Sequence, residues 1–106
     1  MAAIRAEILL TALPDARSAH RLADLLVRRK VAACVTAVPG AVSTYSWKGR
    51  IERSRETLVL AKTLRKNYPK AERLIRENHP YELPEILRIP ASGGSAGYLS
   101  WLCRNS

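Results

Sequence analysis

Histidine and cysteine are scarce in this chain, two of each among 106 residues. That scarcity limits the metal chemistry it can carry, because a closed zinc site takes four such ligands. Cys34 and Cys103 lie far apart with no CxxC between them. They are expected as reduced thiols in a cytoplasmic protein rather than as a disulfide framework. No apolar run approaches the roughly 18 residues of a membrane span. The start, Met1-Ala2-Ala3-Ile4-Arg5-Ala6-Glu7, has a carboxylate near its apolar run and no small-residue cleavage pattern, so no signal peptide is expected. Gly93-Gly94 is too little for a phosphate loop. No Ser-His-Asp spacing and no carboxylate pair with an evident cleft is present, so the chain reads as a non-enzyme.

Acidic residues are also few: 9 Asp and Glu stand against 18 Lys and Arg, for a net charge of +9. A balance this basic brings polyanions into consideration. The basic residues are spread along the chain, which fits the solvated faces of helices. The 47% hydrophobic content excludes disorder. The length suits one domain, residues 1–106, with one core.

Glu7 to Ala12 is a short apolar run ending before Pro14, the pattern of a buried strand. Asp15 is placed to cap a helix whose Ala19, Leu22, Ala23 and Leu26 share one face. Val31 to Val38 predicts a second strand. Pro39-Gly40 interrupts it, since proline removes a ladder donor and glycine permits positive φ, and a bulge is expected there. The strand resumes to Trp47, turns at Lys48-Gly49 and returns through Thr57 to Thr63. This hairpin has arms of roughly 15 residues, well beyond the usual 5–6. It overhangs so small a domain, and Tyr45 and Trp47 near its tip would lack a core unless another copy of the chain covered them. Asn67-Tyr68-Pro69 starts a second helix, with Tyr68, Ala71, Leu74 and Ile75 as its apolar stripe. Pro84 to Pro90 gives a fourth strand, and Ser95 caps a short helix from Ala96 to Cys103.

The segment His79-Pro80-Tyr81-Glu82-Leu83-Pro84-Glu85-Ile86 holds two prolines, two carboxylates, a phenol and an imidazole. Its prolines force extended conformations, so it is a rigid connector with polar groups at reproducible positions. Such a connector serves either a binding site or a stiff turn that satisfies backbone groups. The element order β-α-β-β-α-β with a terminal helix predicts an α+β, ferredoxin-like sandwich: a four-stranded antiparallel sheet with both helices on one face. The other face has no cover within the chain and is too apolar to be wet. Other subunits are expected to cover it.

Ala32-Ala33-Cys34-Val35, Pro39-Gly40, Tyr45-Ser46-Trp47-Lys48-Gly49-Arg50-Ile51-Glu52, Lys62-Thr63, the His79–Ile86 segment and Tyr98-Leu99-Ser100-Trp101-Leu102 together resemble the CutA1 divalent-cation tolerance family. The resemblance runs over nearly the whole chain. It implies a ferredoxin-like fold and a compact homotrimer similar to the PII signalling proteins. It also implies tolerance to copper and other divalent cations, with direct copper binding by members. Some members carry ligand candidates at a first-strand cysteine and at two adjacent histidines. Thr11 and Asn78-His79 occupy those positions here. Thr and Asn are poor copper ligands beside Cys and His. A metal site would therefore use His79 with Cys34, Glu82 or a residue of a neighbouring subunit, and would be weak.

Each candidate also has a plainer role. His79 would serve as a helix-terminal cap. Cys34 would be a buried strand residue, Cys103 packing or surface, and His20 a solvent-facing residue beside Arg17 and Arg21. Lys62 interrupts an apolar strand, and a charge there must be paired or face a cleft. Glu82, Glu85 or a subunit neighbour is its expected partner. The site expected from these residues is a pocket at subunit boundaries joining Lys62, His79, Tyr81, Glu82 and Trp47, with Tyr45 nearby. It would take a metal ion, or a small anion through Lys62. The alternative function is a PII-like trimeric sensor or scaffold that binds a small anionic ligand or a protein partner. Nucleic acid is disfavoured, because the Thr57–Thr63 strand has no aromatics on which bases would stack.

Overall fold

A computed structural model describes residues 5–106. Residues 1–4, read above for a leader, lie outside it. The chain runs β1 (Ala6–Leu13), α1 (Ala16–Arg28), β2 (Cys34–Trp47), β3 (Arg50–Leu64), α2 (Tyr68–Glu77), β4 (Leu87–Pro90) and α3 (Ala96–Arg104), with a 3-10 turn at Arg65–Asn67 before α2. The sheet order is β2-β3-β1-β4, and all neighbours are antiparallel. This is the expected ferredoxin-like α+β arrangement.

The caps follow from local chemistry. The Asp15 carboxylate accepts the Ser18 N–H at 2.7 Å, which satisfies an orphan donor of α1. That bond also holds the Asp15 carboxyl below its ordinary range. Ser95 does the same for Tyr98 N–H at the start of α3. At the end of α1, Lys30 takes a left-handed φ of 56°. Lys30 N–H then donates to Val27 O and Val31 N–H to Leu26 O, a Schellman closure.

That closure corrects one expectation. Val31 to Ala33 looked like the start of β2, yet β2 begins at Cys34. Val31 and Ala32 are spent leaving the helix and drop into the core, each 1% exposed. The fourth strand is likewise shorter than Pro84–Pro90. Only Leu87–Pro90 pairs with β1, and the proline-rich part before it stays a connector.

Strand alternation sorts the sheet into two faces. Leu9, Leu13, Val59 and Ala61 form the core with Ala19, Leu22 and Leu26 of α1 and Ala71, Leu74 and Ile75 of α2. The opposite face is built in rows by register: Ile89, Ile8, Lys62 and Cys34; then Leu87, Leu10, Leu60 and Thr36; then Ala12, Leu58 and Val38. Among the described residues only one end of it is closed, where Leu102 and Leu99 of α3 meet Ala6 and Leu64. Leu87 is 54% exposed, Ile89 44% and Val38 43%.

The β2–β3 hairpin has arms of 14 and 15 residues and stretches the molecule to 50 Å along its long axis, against 25 and 23 Å across. Its register shifts between Val38 and Ala41, so Pro39 and Gly40 form the expected bulge, with Gly40 at φ 80°. The two-residue turn is Lys48-Gly49, both at positive φ. Beyond the bulge Val42, Tyr45, Trp47 and Ile51 are all exposed. β2 is also a sheet edge, and a long apolar edge strand is a template for pairing with another chain.

Candidate functional site

His79 leaves α2 just after its C-cap and is buried. The cap itself is Asn78, whose side-chain amide donates to Leu74 O at 2.9 Å, so His79 does not close the helix. Its ring bridges two segments instead. A ring nitrogen meets the Ala12 carbonyl at 2.8 Å, and a carbonyl only accepts, so Nε2 carries the proton. Nδ1 accepts the Tyr81 backbone N–H at 3.2 Å. Pro80 sits between them and fixes the short span that lets one side chain catch its own backbone two residues on. The rings of His79 and Tyr81 pack with centroids 4.8 Å apart.

Tyr81 then reaches across to β3. Its hydroxyl donates to Glu56 Oε2 at 2.7 Å. Glu56 is only 8% exposed, and this is its carboxylate's one hydrogen bond among the described residues. Burial, and then the Glu56 carboxylate, push the Tyr81 phenol well above its ordinary range. Burial pulls the His79 pKa down, and the Ala12 carbonyl and the Glu56 charge only partly oppose it. The network Ala12–His79–Tyr81–Glu56 thus holds a neutral imidazole and a neutral phenol against one carboxylate. It ties the connector to β1 and β3. A phenol this hard to ionise and an imidazole with both nitrogens engaged are poor proton-transfer groups.

The His79 shift makes stability depend on pH. The unfolded chain takes up a proton near the ordinary value of 6.5, while the folded chain resists it. The contribution of the neutral ring is therefore complete above 6.5 and is lost as pH falls from there toward the lowered folded value. The urea midpoint is expected to fall between about pH 7 and about pH 5, and His79→Gln should flatten that slope. An equal slope in the variant would assign the pH dependence to other groups.

The structure separates the remaining candidates. Lys62 donates to Thr36 Oγ1 and approaches Cys34 Sγ at 3.7 Å, all on the uncovered face. Its partners within the chain are thus a hydroxyl and a thiol, and not Glu82 or Glu85, which were expected beside a subunit neighbour as the alternatives. Lys62 lies opposite Ile8, whereas His79 binds at Ala12. Four residues along a strand is about 13 Å, so the Cys34–Lys62 pair and His79 do not meet within one chain. Trp47 lies further off at the hairpin tip, 47% exposed. Tyr45 hydrogen-bonds Ser54 across the hairpin at 2.8 Å, and Glu82 is exposed on the connector. Thr11 points into the core, 1% exposed, with its hydroxyl unpartnered among the described residues. Both thiols are free, Cys34 half-buried and Cys103 exposed. Among the described residues, no three His, Cys, Asp or Glu side chains gather closely enough to hold a metal ion.

Glu56 was missed in the sequence. Its signal was phase: it precedes Leu58 and Leu60 by even steps on a strand, so it shares their face.

These features define a class of protein: a ferredoxin-like subunit with a long hairpin, one bare apolar sheet face, and a proline-stiffened connector locked to the sheet by an imidazole and a phenol. The family described as CutA1 divalent ion tolerance protein matches residues 7–105, and the chain belongs to that family. The divalent-cation tolerance protein CutA of Thermus thermophilus is 38% identical over 100 residues, spanning 94% of this chain and 97% of that protein. The CutA of Pectobacterium atrosepticum is 40% identical, covering 92% and 88%. The solved structure of the Thermus thermophilus protein superposes with a TM-score of 0.93 at 38% identity over 95% of this chain and 98% of that one.

Proposed function

We propose that the protein is a homotrimeric divalent-cation tolerance protein that binds copper or another divalent cation weakly, through ligands shared between subunits. The observation that carries this reading is the bare sheet face, with Leu10, Leu58, Leu60, Leu87 and Ile89 uncovered by any helix of the chain. Burying such a face removes apolar area from water at about 25 cal/mol per Å². The relatives' names supply the cation.

Cys34, His79 and Glu82 are the ligand candidates, and Cys34 does not meet His79 within one chain. A second subunit would have to bring them together, in a pocket that would also include Lys62, Tyr45, Tyr81 and Trp47. His79 would first give up the Tyr81 N–H, which makes weak binding the expected outcome. We read the protein as a binder rather than an enzyme, and its free thiols suit a cytoplasmic location.

Light scattering is expected to give three times 11.8 kDa. Titration with Cu(II) should give saturable heat in the parent and less in Cys34→Ser and in Glu82→Gln, which removes an exposed carboxylate without touching the fold. A mass of 11.8 kDa removes the trimer. Identical titrations in the parent and both variants remove the shared site.

A further inference from the structure

We propose that the cleft at the start of β1 binds a small phosphate-bearing dianion. The cleft has a volume of about 550 Å³, within the range of small-molecule sites. Arg5 and Arg65 both line it. They continue the Ala6–Leu64 pairing by one step, with Arg65 N–H donating to Arg5 O at 2.9 Å. Two guanidinium-bearing residues therefore sit opposite one another just past the paired ends of β1 and β3, where like charges repel.

Among the described residues no carboxylate answers them. Glu7 is the only acid lining the cleft among the described residues, and Arg88 already holds it in a two-point pair, Nε to Oε1 at 2.9 Å and Nη2 to Oε2 at 3.0 Å. Arg88 is further fixed over the Tyr68 ring, 4.0 Å from its centroid. The four residues before Arg5 contain no acid. Three guanidiniums against one carboxylate leave two positive charges uncompensated in a concave site. The opposite wall is Pro90 to Ser92, pinned where Ala91 N–H donates to Ala6 O at 3.0 Å, and the Ser92 side chain adds a neutral donor.

Paired planar forks suit a tetrahedral oxyanion, and the charge count suits two negative charges. Such an ion would turn the Arg5–Arg65 repulsion into a bridge. Arg88 over Tyr68 puts the cleft on the helix side of the sheet, away from the Lys62 row. The proposed assembly would use the other side of the sheet.

The test is calorimetric titration of the full chain at fixed ionic strength with two probes, inorganic phosphate and glycerol 3-phosphate. Saturable binding is expected, tighter for inorganic phosphate if the ligand is the free ion and tighter for the ester if it is an organic phosphate. Arg5→Gln with Arg65→Gln should weaken it about tenfold or more. Arg17→Gln with Arg21→Gln removes the same charge from exposed positions on α1 and should change it by less than about twofold. Ser92→Glu, which leaves both arginines in place, should abolish it. In phosphate-free buffer the Arg5/Arg65 double variant should melt no lower than the parent, because a repulsion has been removed. Absence of saturable binding by either probe overturns the proposal. So does an equal loss in the two arginine double variants, which would mean diffuse surface charge.

Discussion

Leu60→Glu is expected to split the proposed trimer into single chains of 11.8 kDa that keep their helical and sheet content. Leu60 sits mid-row on the uncovered face, between Leu10 and Thr36 by register. Its side chain points away from α1 and α2, so the subunit core does not feel the charge. In the proposed trimer a carboxylate there would be desolvated, and even beside Lys62, which reaches the cross-strand Thr36, replacing the leucine's apolar packing with a buried charge costs several kcal/mol per subunit. Three copies multiply that cost, and association cannot survive it. Trp47→Ala should act in the same direction more mildly. A large aromatic buried between chains is worth about 2–4 kcal/mol when truncated, so the variant trimer should dissociate on dilution where the parent does not. Sedimentation velocity over a dilution series reads both. A Leu60→Glu protein that remains a trimer of parental stability would mean that this face is wet in the native protein.

Tyr81→Phe is expected to destabilise the protein by about 2 kcal/mol, although it removes a single oxygen. The reason is what it leaves behind. Glu56 is 8% exposed, and the Tyr81 hydroxyl is the one group that satisfies it among the described residues. Without that donor a buried carboxylate faces an aromatic C–H edge. Glu56→Gln should cost less, because a neutral amide can sit near the phenol, and in the Tyr81→Phe background the same change should recover part of the loss. The cycle is measured by urea unfolding at one protein concentration, since the proposed assembly would make apparent stability concentration-dependent. Strictly additive losses would show that Tyr81 and Glu56 are not coupled and would dissolve the network.

Much of the fold was legible because local chemistry and global pattern agree. Asp15 and Ser95 cap the helices they precede, Pro39-Gly40 makes the bulge, and Lys48-Gly49 makes the turn. Each rests on a backbone constraint that one or two residues impose by themselves. The end of α1 was not legible, because its left-handed residue is Lys30 rather than a glycine or asparagine. Tertiary packing imposed that conformation, and three apolar residues then passed for strand. The site divides in the same way. His79 was singled out because its prolines announce a rigid segment. Its actual partners, the Ala12 carbonyl and its own neighbour's N–H, are backbone atoms that no side-chain pattern advertises. Glu56 lies 25 positions from Tyr81, a contact that exists only once β3 and the connector are folded together.

The bulge at Pro39 and Gly40 has a consequence for how the molecule comes apart. On the side near Cys34 the two strands rest on the subunit's own interior, while on the side near Trp47 they rest on nothing the subunit supplies. In the proposed trimer the distal half of the arm is thus ordered by protein concentration, and the proximal half is not. As neighbours leave, amide protons from Val42 to Ile51 should begin to exchange with solvent while those of Val59 and Ala61 stay protected, so dissociation starts as an unzipping that stops at the proline.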